Sequence, residues 1–325
     1  MAPYHRGVPV TLSMQQCRDF RDQGYLVVEG AIGPERLAQV RTEYAQLMDR
    51  LYAGWEAEGR LPPGSGLDFW QKLSTAYAKG CDWYQPMDCS LPGGQIALNT
   101  PMHIGQATFD MVTDPDLLDI VEALIGPEIT SNPIQHIRIK PPQPEVHKTE
   151  VRSQISVTDW HQDRGVTLAS ADETRMITVW LAITDVTLDN APLQVIPRAH
   201  RDGLIEHCGW TQTGIPPALV PKKQAIPLPC PAGSAVIFDP LTPHASLPNN
   251  SDRYRWSFDI RYNRTGDPTG RAQFPDFVAR SRARPDTVLT DADAWRDMWL
   301  GARARLSRQD PVALHRWDSS SPVCA

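Results

Sequence analysis

Arg255-Trp256-Ser257-Phe258-Asp259-Ile260-Arg261-Tyr262 alternates polar and apolar residues without a break. A period of two belongs to a β-strand that packs one face on a hydrophobic layer and turns the other to something polar. Trp256, Phe258, Ile260 and Tyr262 form the packing face, expected against helices, and Arg255 is left looking into a cavity. Just upstream, Pro248-Asn249-Asn250-Ser251-Asp252 is dense in turn formers, so the chain is expected to reverse there and return as a neighbouring antiparallel strand. Before the turn, Ala235-Val236-Ile237-Phe238-Asp239-Pro240 is a short apolar run closed by proline, which reads as a buried strand delivering Pro243-His244 from its far end. By itself His244 reads more readily as a surface-loop histidine. Arg255 changes the balance, because a guanidinium can hold a carboxylate through two parallel hydrogen bonds in a geometry that lysine cannot copy. An ion pair with Asp259 is the structural alternative.

Trp160-His161-Gln162-Asp163 offers partners for His244. Two imidazoles and one carboxylate on one face of a divalent iron hold it while leaving positions open for oxygen. His161 and Asp163 are separated by one residue, so on an extended strand or at its end both project to the same side. His-x-Asp is a weak signal in a chain with nine His and 38 acidic residues, and it recurs as His200-Arg201-Asp202. That second copy follows Pro197-Arg198-Ala199, a turn leaving a strand, and lies close before His244. His161 follows an aromatic residue and is far enough upstream for several strands to intervene, so the metal is assigned to His161, Asp163 and His244.

In this order the segments resemble the phytanoyl-CoA dioxygenase family of Fe(II)- and 2-oxoglutarate-dependent oxygenases, from about Ile134 to Tyr262. Lys140-Pro141-Pro142 is similar to the family's Lys-Pro-Pro strand end, and Trp160 to Asp163 to its Trp-His-Gln-Asp. Asn190 to Pro197 with His200 resembles its Asn-Gly-x-Leu-x-x-x-Pro-Gly-Ser-His segment. His244, Ser246 and Arg255 match its distal histidine, serine and arginine. The resemblance implies that His161, Asp163 and His244 hold iron. It implies that Arg255 and Ser246 bind the distal carboxylate of 2-oxoglutarate, with Lys140 near the same cosubstrate. Trp180, on the run Met176 to Ile183, falls within one residue of where the family places an aromatic lining the cosubstrate, and a strand tryptophan is also ordinary core.

The implied fold is mainly β with flanking helices: a double-stranded β-helix, or cupin-like jelly roll, with the metal inside near one open end. The implied reaction uses O2 and 2-oxoglutarate to hydroxylate an unactivated C–H of a small molecule, a metabolite or natural-product intermediate, releasing succinate and CO2. Desaturation, epoxidation or ring closure would draw on the same iron-based oxidant. A non-catalytic module that binds metal or keto acid is the alternative class. Related halogenases carry a small residue where Asp163 stands, so its presence argues for hydroxylation. Two departures concern substrate rather than chemistry: Gln143 to Asp159 is longer and more charged than the family's short link, and Arg198-Ala199 replaces Gly-Ser, with Ala191 also standing for Gly.

The 325 residues suit one catalytic domain: N-terminal helices and lid loops to 128, a jelly-roll core over 129–265, and a C-terminal extension over 266–325. A net charge of -6, without a long Lys/Arg cluster, speaks against a nucleic-acid partner. The apolar run Met176 to Ile183 is too short to cross a bilayer, and Met1 to Arg6 leads into no secretory segment. Six cysteines without Cys-x-x-Cys spacing read as reduced thiols in a cytoplasm. Nothing in the sequence sets the oligomeric state.

Met14 to Gln23 reads as a helix, Tyr25 to Val28 as a strand, and Pro34 to Glu58 as a long helix with Leu37, Val40, Tyr44, Leu47 and Leu51 on one stripe. Leu61 to Gln106, with Trp70, Trp83 and Tyr84, shows little regular period and reads as a pocket wall or as packing. Trp83 and His103 are its substrate candidates, His103 being pocket-lining or structural. A short helix over Pro115 to Leu124 precedes the barrel, which begins near Ile129. His136 and Arg138 share the face of Lys140, placed for a polar or anionic substrate, for solvent or for ion pairs. Ala292 to Leu306 reads as a helix that closes over the site or forms a subunit contact.

Overall fold

The structure, a computed structural model, describes residues 11–325, so the reading of Met1 to Arg6 falls outside it. Helix α1 (Met14–Gln23) starts at a reciprocal cap between Ser13 and Gln16 and stops at Gly24, whose φ is 81°. Strand β1 (Tyr25–Val28) leads to α2 (Pro34–Ala57), which carries proline in its first turn and buries Leu37, Val40, Tyr44, Leu47, Met48 and Tyr52. The expected irregular stretch from Leu61 to Gln106 is more ordered than its sequence suggested. It contains α3 (Phe69–Ala78), begun by a second reciprocal cap between Asp68 and Gln71, and the single turn α4 (Tyr84–Met87). Helices α5 (Gln106–Val112) and α6 (Pro115–Ile125) complete this layer.

The strands follow: β2 (Ile129–Lys140), β3 (Met176–Ala182), β4 (Leu193–Val195), β5 (Cys208–Gly209), β6 (Thr213–Gly214), β7 (Ile226–Leu228), β8 (Ala235–Phe238), β9 (His244–Ser246), β10 (Arg255–Arg264) and β11 (Phe277–Arg280). Helix α7 (Ala292–Leu306) ends the regular structure. A six-stranded sheet in the order β1-β8-β3-β10-β2-β11 faces a smaller one in the order β7-β4-β9, the two layers of a jelly roll. The pairings within both sheets are antiparallel.

Alternation along the large sheet decides what each face meets. Ile137 and Ile139 of β2, Ile177, Val179 and Leu181 of β3, and Trp256, Phe258, Ile260 and Tyr262 of β10 join the helices in one continuous core. Tyr44 of α2 touches both Trp256 and Phe258, and the Tyr262 hydroxyl donates to Val112 O at the end of α5. Truncating a ring as enclosed as Phe258 to alanine would cost about 3–5 kcal/mol. The opposite face packs Trp180, Ala182, Val236 and Phe238 against Leu193, Val195 and Leu228 of the small sheet. This second core borders polar groups between the sheets: Phe238 packs on His244, and Trp180 lies under the Arg255 guanidinium.

Two expectations are corrected here. The turn at 248–252 does not return the chain beside β9: β9 belongs to the small sheet, and β10 crosses to the centre of the large one, between β3 and β2. Of the two roles expected for α7, closing over the site is overturned, since no residue of α7 lines the cavity beside His161. Trp295 packs on Phe109 and Phe277, and Trp299 on Phe274, which fixes α7 to the outer layer.

A third correction concerns the cysteines. Cys208 and Cys324 form a disulfide across a sequence separation of 116, with Cα atoms 5.6 Å apart, so not all thiols are reduced. The argument from reduced cysteines to a cytoplasm loses its premise. Among the described residues no helix is long and apolar enough to cross a membrane.

Candidate metal centre

His161 and His244 lie opposite each other in an isolated antiparallel bridge and exchange both backbone hydrogen bonds, each 3.0 Å. Residues directly opposed in an antiparallel pair project to the same face, so the imidazoles stand side by side with ring centroids 4.1 Å apart. Each ring is oriented from behind: His161 Nδ1 donates to Asp159 O at 2.8 Å and His244 Nδ1 to Thr242 O at 3.0 Å. The tautomer is thereby set, and both Nε2 atoms keep a free lone pair. Burial pushes both imidazoles below the usual histidine range, favouring the neutral form that a metal requires.

Asp163 completes the cluster, its Oδ1 lying 3.7 Å from His161 Nε2 and 3.9 Å from His244 Nε2. With neutral imidazoles these are not ion pairs but ligand atoms spaced around one point. One ligand atom from each residue lies within 4.8 Å of the others, the only such His/Cys/Asp/Glu group found among the described residues. The carboxylate is held by a cross-strand pair: Arg261 of β10 and Thr178 of β3 are in register. Arg261 Nη2 donates to Oδ1 at 2.5 Å, and the Thr178 hydroxyl donates to Oδ2. Burial alone would raise the Asp163 pKa; Arg261 and the two imidazoles outweigh it and hold the group ionised, below the usual carboxylate range. Each oxygen retains a lone pair beyond its hydrogen bond, so this donor set of two imidazole nitrogens and a carboxylate fits a divalent transition metal. The rival His200 and Asp202 lie elsewhere, His200 against Arg21 O and Asp202 against Lys223.

Deeper in, Arg255 of β10 sits in register with Lys140 of β2. Arg255 is 0 % exposed. Its Nε donates to Ala191 O at 3.1 Å and its Nη1 to Ser257 Oγ at 2.6 Å, its guanidinium lies 5.2 Å from the Trp180 ring, and its Nη2 has no partner among the described residues. The pairing with Asp259 considered above does not form, because Asp259 is taken by Arg138. Lys140 Nζ meets only neutral acceptors: Ser156 O at 2.5 Å, Thr158 Oγ1 at 2.9 Å and Ser246 Oγ at 2.6 Å. Burial and the neighbouring Arg255 push Lys140 far below the ordinary lysine range, and burial pushes Arg255 down to about 9. Two buried basic groups side by side, with no ion-paired acid among the described residues, are costly to charge unless an anion enters between them.

A cavity of about 350 Å³ opens beside the cluster, with His161, Asp159 and Arg261 in its wall. His136 and Arg138 line it, His136 hydrogen-bonded to Asp88 and Arg138 to Asp259 and Ser153. The long link contributes Val151, Arg152, Ser153, Gln154 and Thr158. His103 and Trp83 do not line it. His103 sits in the helical layer, bonded to Glu43 at 3.0 Å and edge-on to Tyr44, and Trp83 is core between Tyr77 and Tyr84. The segment that carries them instead walls, with Leu67, Trp70, Gln71, Ser74 and Thr75, a larger cleft of about 770 Å³ that contains none of the ligands.

Several site residues escaped the sequence reading. Arg261 and Thr178 were visible only as members of strand faces. His207 accepts a hydrogen bond from Gln162 N at 2.9 Å, between the two ligands, and stacks on Trp317. The C-terminal tail runs across this loop: Trp317 Nε1 donates to Gly165 O at 2.5 Å, Arg316 pairs with Asp172 at 2.6 Å, and Leu314 and His315 enter the cavity wall.

Fold and site together define a jelly-roll dioxygenase. A family model described as phytanoyl-CoA dioxygenase (PhyH) matches residues 88–257, just over half of the chain, and the chain belongs to that family. The phytanoyl-CoA dioxygenase domain-containing protein 1 of Danio rerio is 25% identical over 279 residues, covering 77% of this chain and 90% of its own. An L-proline trans-4-hydroxylase of Streptomyces griseoviridis is 28% identical over 154 residues, 41% of this chain and 55% of its own length. Among solved structures, the non-heme monooxygenase ThoJ superposes with a TM-score of 0.56 at 20% identity, covering 90% of this chain and 98% of its own.

Proposed function

We propose that this chain is an Fe(II)- and 2-oxoglutarate-dependent dioxygenase that hydroxylates an unactivated C–H of a small molecule. The observation that carries the reading is a triad that could hold a metal beside a buried Arg255–Lys140 pair that forms no ion pair among the described residues. Ferrous iron bound to His161, Asp163 and His244 would supply oxygen activation coupled to oxidative decarboxylation of the keto acid to succinate. Arg255 grips the distal carboxylate of 2-oxoglutarate with its free Nη2, over the face of Trp180. Lys140 holds Ser246 Oγ in place and adds positive potential behind it. The carbonyls behind His161 and His244 keep each Nε2 on the metal side, and Arg261 with Thr178 keeps Asp163 ionised and aimed. The cavity of His136 and Arg138 is left for the substrate. Because Leu314 and His315 contribute to that cavity, the tail and the jelly roll act as one catalytic unit.

The test supplies iron, ascorbate, oxygen and 2-oxoglutarate and measures succinate. Slow substrate-free release in the wild type, absent in Asp163→Ala, is expected; equal release in both sinks the proposal. Once a substrate is found by its stimulation of succinate release, product mass and NMR decide the outcome: a gain of one oxygen for hydroxylation or epoxidation, which the carbon shifts tell apart, and a loss of two hydrogens for desaturation or ring closure.

A further inference from the structure

Each arginine in the cavity wall but one has an acid. Arg138 has Asp259, Arg152 has Asp82 and Glu150, and Arg261 has Asp163. Arg271 lines the same cavity, is 6 % exposed, and forms no ion pair among the described residues. Its Nη2 donates to Val166 O at 2.8 Å, and its Nη1 has no partner. An uncompensated guanidinium held this deep, in a wall it shares with the cation Arg261, is costly unless an anion answers it.

The segment that presents Arg271 is fixed rather than loose. Asn132 Nδ2 donates to Thr269 O at 3.0 Å, the Thr174 hydroxyl to Pro268 O at 2.7 Å, and Arg271 N to Thr269 Oγ1 at 3.2 Å. Gly270 takes a φ of 74°, and a Cβ there would stand 2.9 Å from Thr167 Cβ and 3.0 Å from Ala171 Cβ. Only glycine lets the chain pass this close and turn Arg271 inward. His315, from the tail, lines the same cavity, and its Nδ1 is a second buried nitrogen without a partner among the described residues. Both residues lie beyond the family match at 88–257.

We propose that Arg271, in a cavity wall it shares with His315, is the substrate's anion site, so that this enzyme oxidises a small molecule bearing a carboxylate or a phosphate. The proposal rests on the reading of the cavity beside His161 as the place of oxidation. The anion, bidentate on the guanidinium, would anchor one end of the molecule and thereby fix which carbon faces the metal.

The full-length disulfide-bonded protein, loaded with Zn(II) and 2-oxoglutarate so that Arg255 is occupied, is titrated calorimetrically with acetate, inorganic phosphate and acetamide at constant ionic strength in chloride. Acetate or phosphate is expected to bind at least tenfold tighter than acetamide, and the stronger of the two identifies the anion. Arg271→Met should remove that preference; Arg271→Lys, which keeps the charge and a donor for Val166 O, should keep part of it and serves if the methionine variant does not fold. An equal response to acetamide, no anion binding at all, or an unchanged preference in Arg271→Met would each overturn the proposal. The titration involves no turnover, so it fails or succeeds separately from succinate release, which tests the oxygenase reading.

Discussion

His207 makes the metal loop sensitive to acid, and the size of the effect follows from its surroundings. Burial pushes its imidazole down to about 4, against an unfolded value of about 6.5. In the folded protein Nδ1 donates to Ile205 O at 2.7 Å, so Nε2 must stay unprotonated to accept from Gln162 N. Between the two pKa values the unfolded chain binds the proton and the folded chain does not, so stability falls as pH drops from about 6.5 towards 4. The loss at pH 5, relative to pH 7.5, is about 2 kcal/mol from this one residue, approaching about 3.4 kcal/mol below pH 4. His207→Gln keeps an acceptor for Gln162 N but cannot titrate. Urea denaturation of the metal-free protein in EDTA, followed by tryptophan fluorescence at both pH values, measures the difference. The wild type should lose about 2 kcal/mol more than the variant on acidification, because the other histidines are common to both. Identical pH dependence, within the error of linear extrapolation, would refute the argument.

Arg255→Lys keeps the charge but not the fork, and its KM for 2-oxoglutarate should rise about 10- to 100-fold in succinate-release kinetics. Thr178→Val removes the hydroxyl bonded to Asp163 Oδ2 while preserving shape, and metal affinity in an anaerobic titration should weaken about tenfold. Arg198 holds a φ of 65° at a position where the family carries glycine. Arg198→Gly relieves that conformation at the loss of an exposed pair with Asp22, and the melting temperature should rise by about 1–3 °C.

The clustering of His161, Asp163 and His244 was legible because two of the three stand in one short stretch, Trp160 to Asp163, and β10 announces its inner face by strict alternation. The support around it was not. That Arg261 meets Thr178, and that both then reach Asp163, depends on the register of β3 against β10 and on a bulge between Asp259 and Arg261 in the pairing with β2. No local period encodes such a register. The crossing from β9 to the opposite sheet was missed for a related reason, since turn formers signal a reversal without saying which layer receives the returning strand. Helix α3 could have been found: Asp68 followed by Gln71 is a capping signature, obscured by the Gly and Pro residues upstream. Cys208 and Cys324 carry no mark of each other, because nothing in their spacing tells that the tail folds back. The glycine positions of the family motif proved informative even where the glycines are gone, since Ala191 and Arg198 both adopt positive φ.

The bridge between Cys208 and Cys324 ties down the same tail that lends Leu314 and His315 to the cavity. Dithiothreitol, a routine safeguard against ferric iron, would sever that tether, whereas ascorbate would spare it. Batches of one purified polypeptide handled with different antioxidants would then present differently shaped entrances, and disagreement over which compounds they accept would trace to bench chemistry rather than to the enzyme.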